Sequence, residues 1–231
     1  MTSTDWDSYA HTYRQIDESS EVPLLLSAFL SGRTGTLIDV GCGEGSMLNA
    51  VRDKFGDSWK LTGFEVSEAR ADMARKQGHT VIVADSEVPS DAGQFDVAVS
   101  MHVIEHVDDD RSHALDLSRL VKPGGHVYLE TPVKLKGAWY FRRNPQAGWV
   151  LDPTHLREYR SAVAVNRMLT DQGFEVVAED LTTLAFPLAA AEMLVKRVTG
   201  GQQRNQEPAG WRAIGVPIPR YRQQAVLARR R

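Results

Sequence analysis

Between residues 36 and 132, short apolar segments alternate with segments of helical periodicity, and this order limits the possible folds more than any other feature of the sequence. Each apolar segment is a nearly unbroken run, as expected of a strand that is covered on both faces. Strands that alternate with helices pair in parallel, with helices on both faces of the sheet. We therefore predict an α/β fold. The strands are predicted at 36–40, 60–66, 80–85, 95–101 and 126–132, and the helices at 46–56, 67–78 and 109–121.

The second half of the chain is less regular. A helix at 161–173, a strand at 174–180 and a final strand at 224–230 are predicted from their periodicity. Between the last two strands, residues 181–222 are predicted to form an insertion with a buried or interfacial helix within 181–195. That helix is too short to span a membrane, and it contains a proline and a glutamate.

The charge of the 231-residue chain is −3 in total, but it is unevenly distributed. Residues 196–231 contain nine Lys and Arg against one acidic residue, which indicates either an anionic partner or a solvated, charged terminus. Cys42 is the single cysteine, so no disulfide can form within the chain. The first residues lack the basic start and apolar core of a signal peptide, and we predict a cytoplasmic protein.

A glycine-rich loop joins the first predicted strand to the first predicted helix. In LIDVGCGEGSM, Gly41, Gly43 and Gly45 stand at this junction. Glycine permits a tight turn there and lets a ligand approach bare backbone. Glu65 ends the second strand, where an acid can accept hydrogen bonds from ribose hydroxyls. The G-x-G-x-G spacing differs from the dinucleotide pattern G-x-G-x-x-G, which disfavours a nicotinamide dehydrogenase.

Five motifs, in order, give the chain a family resemblance. They are LIDVGCGEGS, GFEVSEARADMAR, VIVADSE, FDVAVSMHVIEHVDD and LVKPGGHVYLETP. They resemble the successive motifs of class I S-adenosylmethionine-dependent methyltransferases, and most closely the small-molecule branch that includes ubiquinone-type O-methyltransferases. The resemblance implies a Rossmann-like, mostly parallel sheet of seven strands, with the last strand antiparallel and an insertion before it. It also implies S-adenosyl-L-methionine as the cofactor.

The resemblance also implies a division of the chain, within a single methyltransferase domain. Cap helices are expected at 1–35 and the cofactor-binding core at 36–132. A substrate lid is expected at 133–160, and the C-terminal helix, strands and insertion at 161–231.

The resemblance places the cofactor at the carboxyl ends of the strands. It implies that Asp39 and the glycine loop hold the methionine part, and that Asp85 accepts a hydrogen bond from the adenine amino group. An aromatic residue near the N-terminus, Tyr9 or Tyr13, is expected to close the site. The predicted cofactor residues are Tyr13, Asp39, Gly41, Cys42, Gly43, Gly45, Glu65, Val66, Asp85, Ser86, Ser100, Met101 and His106.

The segment MHVIEH, at 101–106, has the H-x-x-E-H spacing of one class of zinc peptidases. Such a peptidase needs both histidines on a long helix and a third ligand from a later helix. Here the string directly follows a strand and precedes three aspartates that are typical of a helix cap, so we exclude the peptidase. In parts of the resembled family a related string binds a divalent ion. His102, Glu105 and His106 could form an incomplete site of that kind, and His155 could complete it. We predict no metal and keep this site as an alternative.

Methyl transfer to a hydroxyl group needs a general base, and histidine is the side chain best matched to that task near neutral pH. His155, in LDPTHLREYR, is our first candidate and His102 the second. Aromatic residues and arginines at 136–160, among them Arg157, favour an acceptor with an anionic group.

The sequence thus predicts methyl transfer to a small molecule, such as a sugar, an aromatic compound or a natural-product intermediate. The protein is predicted to be a monomer or a homodimer. Two alternatives stay open. One is an RNA or protein methyltransferase that uses the basic C-terminal segment, and the other is a metal-assisted O-methyltransferase.

Overall fold

The computed structural model describes residues 21–83, 94–138, 142–145, 147–187 and 215–231. Several residues with predicted roles lie outside these ranges, so those roles remain predictions. They are Tyr9, Tyr13, Asp85, Ser86 and the aromatic residues 139–141.

The described strands form one large sheet and one small ribbon. The large sheet contains β1 (Gly35–Val40), β2 (Trp59–Glu65), β3 (Thr80–Val83), β4 (Phe95–Met101), β5 (Val121–Lys134), β8 (Phe174–Pro187) and β9 (Gly215–Arg230), and the ribbon contains β6 (Arg142–Asn144) and β7 (Gly148–Val150). The seven strands follow the order β3-β2-β1-β4-β5-β9-β8. The first five pair in parallel, and β9 is antiparallel to both of its neighbours. The predicted fold class is confirmed.

The described helices are α1 (Leu24–Leu30), α2 (Ser46–Phe55), α3 (Glu68–Lys76), α4 (Asp110–Leu120) and α5 (Ala162–Asp171). Three of them connect parallel strands, since α2 joins β1 to β2, α3 joins β2 to β3 and α4 joins β4 to β5. α1 precedes β1, and α5 lies between β7 and β8. The side chains of Ser67, Asp109 and Ser161 cap α3, α4 and α5 by accepting hydrogen bonds from backbone N–H groups of the first turn. None of the helices within the described ranges has the length and apolar character that a membrane crossing needs.

The sheet separates two apolar clusters, which explains the unbroken apolar strands. Leu37 and Ile38 are adjacent in β1 and fully buried, yet they belong to different clusters because successive side chains point to opposite faces. Leu26 of α1 belongs to the same cluster as Leu37, whereas Leu117 of α4 packs with Ile38. With both faces covered, the carboxyl ends of the strands are left as the edge at which a ligand can bind.

One prediction for the C-terminal part is wrong. The sequence predicts a helix within 181–195, but β8 continues through this segment to Pro187, and β9 begins at Gly215. In the extension, Thr183 pairs with Arg222. Pairing with a neighbouring strand outweighs helix propensity, which is a weak local preference. The rest of the predicted helix lies outside the described residues.

Candidate active site

The loop after β1 is left-handed at all three of its glycines. The backbone φ angle is 81° at Gly41, 54° at Gly43 and 89° at Gly45. A Cβ atom on Gly41 would lie 2.4 Å from Cγ2 of Val103, so a side chain would have neither a relaxed backbone nor space at this position. The glycine loop therefore packs directly against the MHVIEH segment, and the two motifs form one site.

Glu65, the predicted ribose ligand, also fixes the glycine loop to β2. Its buried carboxylate accepts hydrogen bonds from the backbone N–H groups of Gly43 at 2.8 Å and of Val66 and Ser67 at 2.9 Å each. Only the bond from Gly43 uses Oε2, and a carboxylate oxygen can accept more than one hydrogen bond. Glu65 can therefore still accept from a ribose hydroxyl, but it has a structural role that the sequence did not indicate.

Asp39, on β1, is a buried acid beside Glu65. Burial, and then the charge of Glu65, raise the pKa of Asp39 to about 7. Ionising two neighbouring buried carboxyls is unfavourable unless a cation joins them. The cofactor implied by the resemblance carries an ammonium and a sulfonium, and glycine leaves the adjoining backbone open to it. The acid pair and the loop therefore fit S-adenosylmethionine.

The other predicted cofactor residues take different positions. The side chain of Cys42 is buried in the core, where burial raises the pKa of the thiol, so only its backbone is available to a ligand. The Ser100 hydroxyl is buried and lies 2.9 Å from Nε2 of His113, which joins β4 to α4. Val66 and Met101 pack against the two core clusters and are only partly buried. Their contacts with a cofactor remain predictions.

The MHVIEH segment forms a turn rather than a helix after its first residue, and the LDPTHLREYR segment packs on it. The backbone N–H of Leu156 donates to the carbonyl oxygen of Glu105 at 2.9 Å. Arg157 fastens the same contact through its guanidinium. It donates to the carbonyl oxygens of Ile104, Val107 and Asp108. These bonds give Arg157 a structural role, and the acceptor binding suggested by its charge stays a prediction.

Two histidines meet across this contact. The ring centroids of His106 and His155 lie 4.8 Å apart in an edge-to-face arrangement. Together with Glu105 they form a group in which one ligand atom from each residue lies within 4.8 Å of the others. Two residues that the sequence placed in different roles are therefore neighbours in a single cluster.

Each ring is anchored through Nδ1. For His155, Nδ1 lies 3.0 Å from Oε1 of Glu158. For His106, Nδ1 lies 3.0 Å from the hydroxyl of Thr154, which itself donates to Asp152 at 2.7 Å. Because a carboxylate and an already donating hydroxyl can only accept, each neutral ring carries its hydrogen on Nδ1. Nε2 is then the nitrogen that can take a proton or bind a metal ion.

Glu105 supplies a buried negative charge to this cluster. Its Oε2 accepts a hydrogen bond from Thr131 at 3.1 Å. Its Oε1 lies 3.3 Å from Nδ1 of His102, without the geometry of a hydrogen bond. Burial raises the pKa of Glu105, but the contact with His102 and the charges of the two other histidines outweigh burial and hold it at about 2. Glu105 is therefore ionised at neutral pH.

His102, the second candidate base, lies at the edge of the cluster. Its φ angle of 55° is unusual for a residue other than glycine. Nδ1 contacts Glu105, and Nε2 lies 3.3 Å from Nε2 of Gln223. Because 42% of its side chain is exposed, whereas 5% of the His155 side chain is, His102 is less well placed to act on an acceptor shielded from water.

The groups that orient the histidines were not predicted from the sequence. Glu158 follows His155 by three residues, so the spacing within LDPTHLREYR carried a signal for this pair. Asp152 lies in the same segment. Thr131 and Tyr221 carried no such signal, because they come from strands that are distant in sequence.

The chain is similar to known methyltransferases in sequence and in fold. A methyltransferase domain profile matches residues 10–179. A ubiquinone biosynthesis O-methyltransferase of Pseudomonas paraeruginosa is 37% identical over 128 residues, which are 52% of this chain and 49% of that protein. The chain thus spans about half the length of the curated relatives that it matches.

Solved structures share the fold at low sequence identity. An S-adenosylmethionine-dependent methyltransferase from Mesorhizobium loti has a TM-score of 0.58 at 19% identity, covering 93% of this chain and 99% of that chain. Phosphoethanolamine N-methyltransferase 2 of Haemonchus contortus, in complex with S-adenosyl-L-methionine, has a TM-score of 0.57 at 16% identity, covering 89% and 51%. At these identities the likeness concerns the fold alone.

Proposed function

We propose that this chain, which belongs to the methyltransferase domain family and takes its methyl group from S-adenosylmethionine, transfers that group to a hydroxyl group of a small molecule. The observation that carries the proposal is the anchored imidazole of His155. Its cluster includes Glu105, which lies two residues after Val103, the residue that contacts the glycine loop. A hydroxyl acceptor needs such a base, and the relatives that match half of the chain are O-methyltransferases.

Bound S-adenosylmethionine supplies a methyl group that is activated by its sulfonium. The glycine loop and Asp39 would hold the methionine part of this cofactor, and Glu65 would accept hydrogen bonds from its ribose hydroxyls. His155 takes the proton of the acceptor hydroxyl on Nε2, since its Nδ1 is bonded to Glu158. The contact of 152–158 with the MHVIEH turn holds His155 in place, and its burial excludes water.

The proposal predicts that the transferred methyl group is found on oxygen. The test incubates the protein with S-adenosylmethionine that carries a ¹³C-labelled methyl group and with a panel of catechols, sugars, amines and activated carbon acids. We expect a labelled O–CH₃ product from the hydroxyl acceptors, identified by NMR. Label on nitrogen or carbon, with none on oxygen, would contradict the proposal. The Gly41→Val variant, at the same protein concentration, serves as the blank. It is expected to be inactive, because a side chain at this position would collide with Val103.

A second candidate is metal-assisted O-methylation, and the geometry of Glu105, His106 and His155 favours it. Two imidazoles and a carboxylate are a common ligand set for a catalytic divalent ion. The Nδ1 anchors of both rings are the kind of support that metal-binding histidines receive. A bound ion would promote ionisation of the acceptor hydroxyl. In that case His155 would be a ligand rather than a base.

The metal candidate predicts about one equivalent of a divalent ion per chain in protein purified without chelators. EDTA would abolish turnover, and His106→Ala and His155→Ala would each lose both the ion and activity. His126→Ala is the control, since His126 lies in the half of β5 that is distant from the cluster. Protein that is free of metal by elemental analysis and fully active in EDTA would leave His155 as the base.

Other predictions from the sequence remain open. An RNA or protein acceptor would produce salt-dependent retention of the chain on that polymer, since the C-terminal segment is basic. An anionic group on a small acceptor stays a prediction, although Arg157 is engaged in the turn. The cytoplasmic location and the monomeric or homodimeric state also stay predictions.

A further inference from the structure

We infer that Glu158 is a positioning residue, whose carboxylate fixes the tautomer of His155 that keeps Nε2 ready to accept a proton. This inference rests on the proposed function, because it assigns a partner to the proposed base. Nδ1 of His155 lies 3.0 Å from Oε1 of Glu158, and the two side chains are 5% and 3% exposed. At this burial the pair has little competition from water for its hydrogen bond.

The carboxylate of Glu158 is itself held from three other directions. The backbone N–H of Leu151 donates to Oε1, the hydroxyl of Tyr221 donates to Oε2 at 2.8 Å, and Nζ of Lys134 lies 3.6 Å from Oε2. These contacts fix the orientation of the Glu158 carboxylate, with Oε1 directed at Nδ1 of His155.

The two histidines of the cluster differ in one respect that selects His155. The Nδ1 anchor of His155 is the carboxylate of Glu158, whereas the Nδ1 anchor of His106 is the hydroxyl of Thr154. After His155 has taken a proton, its imidazolium forms an ion pair with Glu158 in a buried site.

The first arm of the test is a spectroscopic reading that does not depend on activity. The ¹⁵N chemical shifts of the His155 ring, assigned by comparison with His155→Ala, report which nitrogen carries the hydrogen. We expect the Nδ1–H tautomer in the wild-type protein. In Glu158→Ala we expect a mixture with the Nε2–H form, since the acceptor on the Nδ1 side is gone. A wild-type ring in the Nε2–H form overturns the inference, whatever the kinetics show.

The second arm is kinetic. Glu158→Ala is expected to lower kcat about tenfold or more while the Kd of S-adenosylmethionine changes by less than about twofold. Glu158→Gln keeps an acceptor oxygen for Nδ1–H, so it is expected to keep the tautomer and to recover part of the kcat lost in Glu158→Ala. Equal kcat values in the wild type and Glu158→Ala, or no recovery in Glu158→Gln, contradict the inference.

The matched control is Glu175→Ala, which removes a half-exposed carboxylate of β8 that pairs with Arg229. It should change neither the tautomer nor kcat. If Glu158→Ala does not fold, the tautomer of the wild-type protein and the tautomer and kcat of Glu158→Gln still test the inference. Failure of the proposed function can be distinguished from failure of this inference. It would appear as full activity in His155→Ala, while the wild-type protein still shows the Nδ1–H tautomer of His155.

Discussion

Replacing His155 with alanine is expected to lower kcat by about 10²- to 10⁴-fold, the range typical of a lost general base. The affinity for S-adenosylmethionine is expected to stay within about twofold, because the hydrogen bonds that form the glycine loop do not involve His155. Steady-state kinetics on an identified acceptor and calorimetric titration of the cofactor measure the two effects separately. A parallel loss of cofactor affinity would instead indicate a collapsed site.

The control for this substitution is His126→Ala. His126 pairs with Val97 in the sheet and contacts Phe29, away from the cluster that contains His106 and His155. Its removal should leave kcat unchanged. If His155→Ala also retained kcat, then His155 would not be the base, and His102→Ala would become the decisive variant. His102 contacts Glu105 as well, so it is the next best placed imidazole.

The fold could be predicted because its sequence signals are local. Each parallel strand is a short apolar run, and the helices have their own periodicity, with side-chain caps such as Ser67 on α3 and Asp109 on α4. The extent of β8 and β9 could not be predicted in the same way. Their extension depends on pairs such as Thr183 with Arg222, which join residues distant in sequence. No local pattern reports such a pairing, and the apolar run at 181–187 matched a helix equally well.

The candidate site was predictable in its parts and not in its connections. The glycine loop, Glu65 and His155 stand in recognisable segments, so sequence alone predicted roles for them. Their hydrogen-bond partners depend on how the turn at 102–108 meets the segment at 152–158, which only the folded chain defines. Arg157 shows the consequence. Its charge suggested ligand binding, yet its guanidinium satisfies carbonyl oxygens of the turn.

Asp39→Asn is expected to stabilise the protein without cofactor, by an amount that increases with pH. The pKa of Asp39 is raised from 3.8 to about 7 in the folded chain, so between these values the folded state binds more protons than the unfolded state. The free energy of unfolding of the wild type therefore falls as pH rises through this window. The full shift corresponds to an upper limit of about 4 kcal/mol, lost by pH 8. Asparagine does not titrate and escapes this loss.

Urea unfolding at pH 5, 6, 7 and 8 measures the effect as a difference in free energy of unfolding between the variant and the wild type. The difference should grow up to about pH 7 and then level off. Asp53→Asn is the matched control, because the side chain of Asp53 is 76% exposed and should give a difference that is small and independent of pH. A difference for Asp39→Asn that is constant across pH would show that Asp39 does not titrate in this range.

The same substitution is expected to weaken binding of S-adenosylmethionine, so that stability and affinity change in opposite directions. The positive charges of the cofactor favour ionised Asp39, so binding near pH 6 should release protons, and affinity should fall by up to about tenfold per pH unit below the pKa of Asp39. Titration calorimetry in two buffers of different ionisation enthalpy measures the protons released. In Asp39→Asn this release and the pH dependence should disappear, and affinity at pH 8 should be reduced.

Glu65→Gln gives the informative contrast. It also reduces the negative charge, but it puts at risk the hydrogen bonds from Gly43, Val66 and Ser67, so it should lower both affinity and stability. If Asp39→Asn stabilises the protein and Glu65→Gln destabilises it, then Asp39 lowers the stability of the cofactor-free protein but supplies the negative charge that binds the cofactor. Glu65 then has a second role, because it also holds the glycine loop that binds the cofactor.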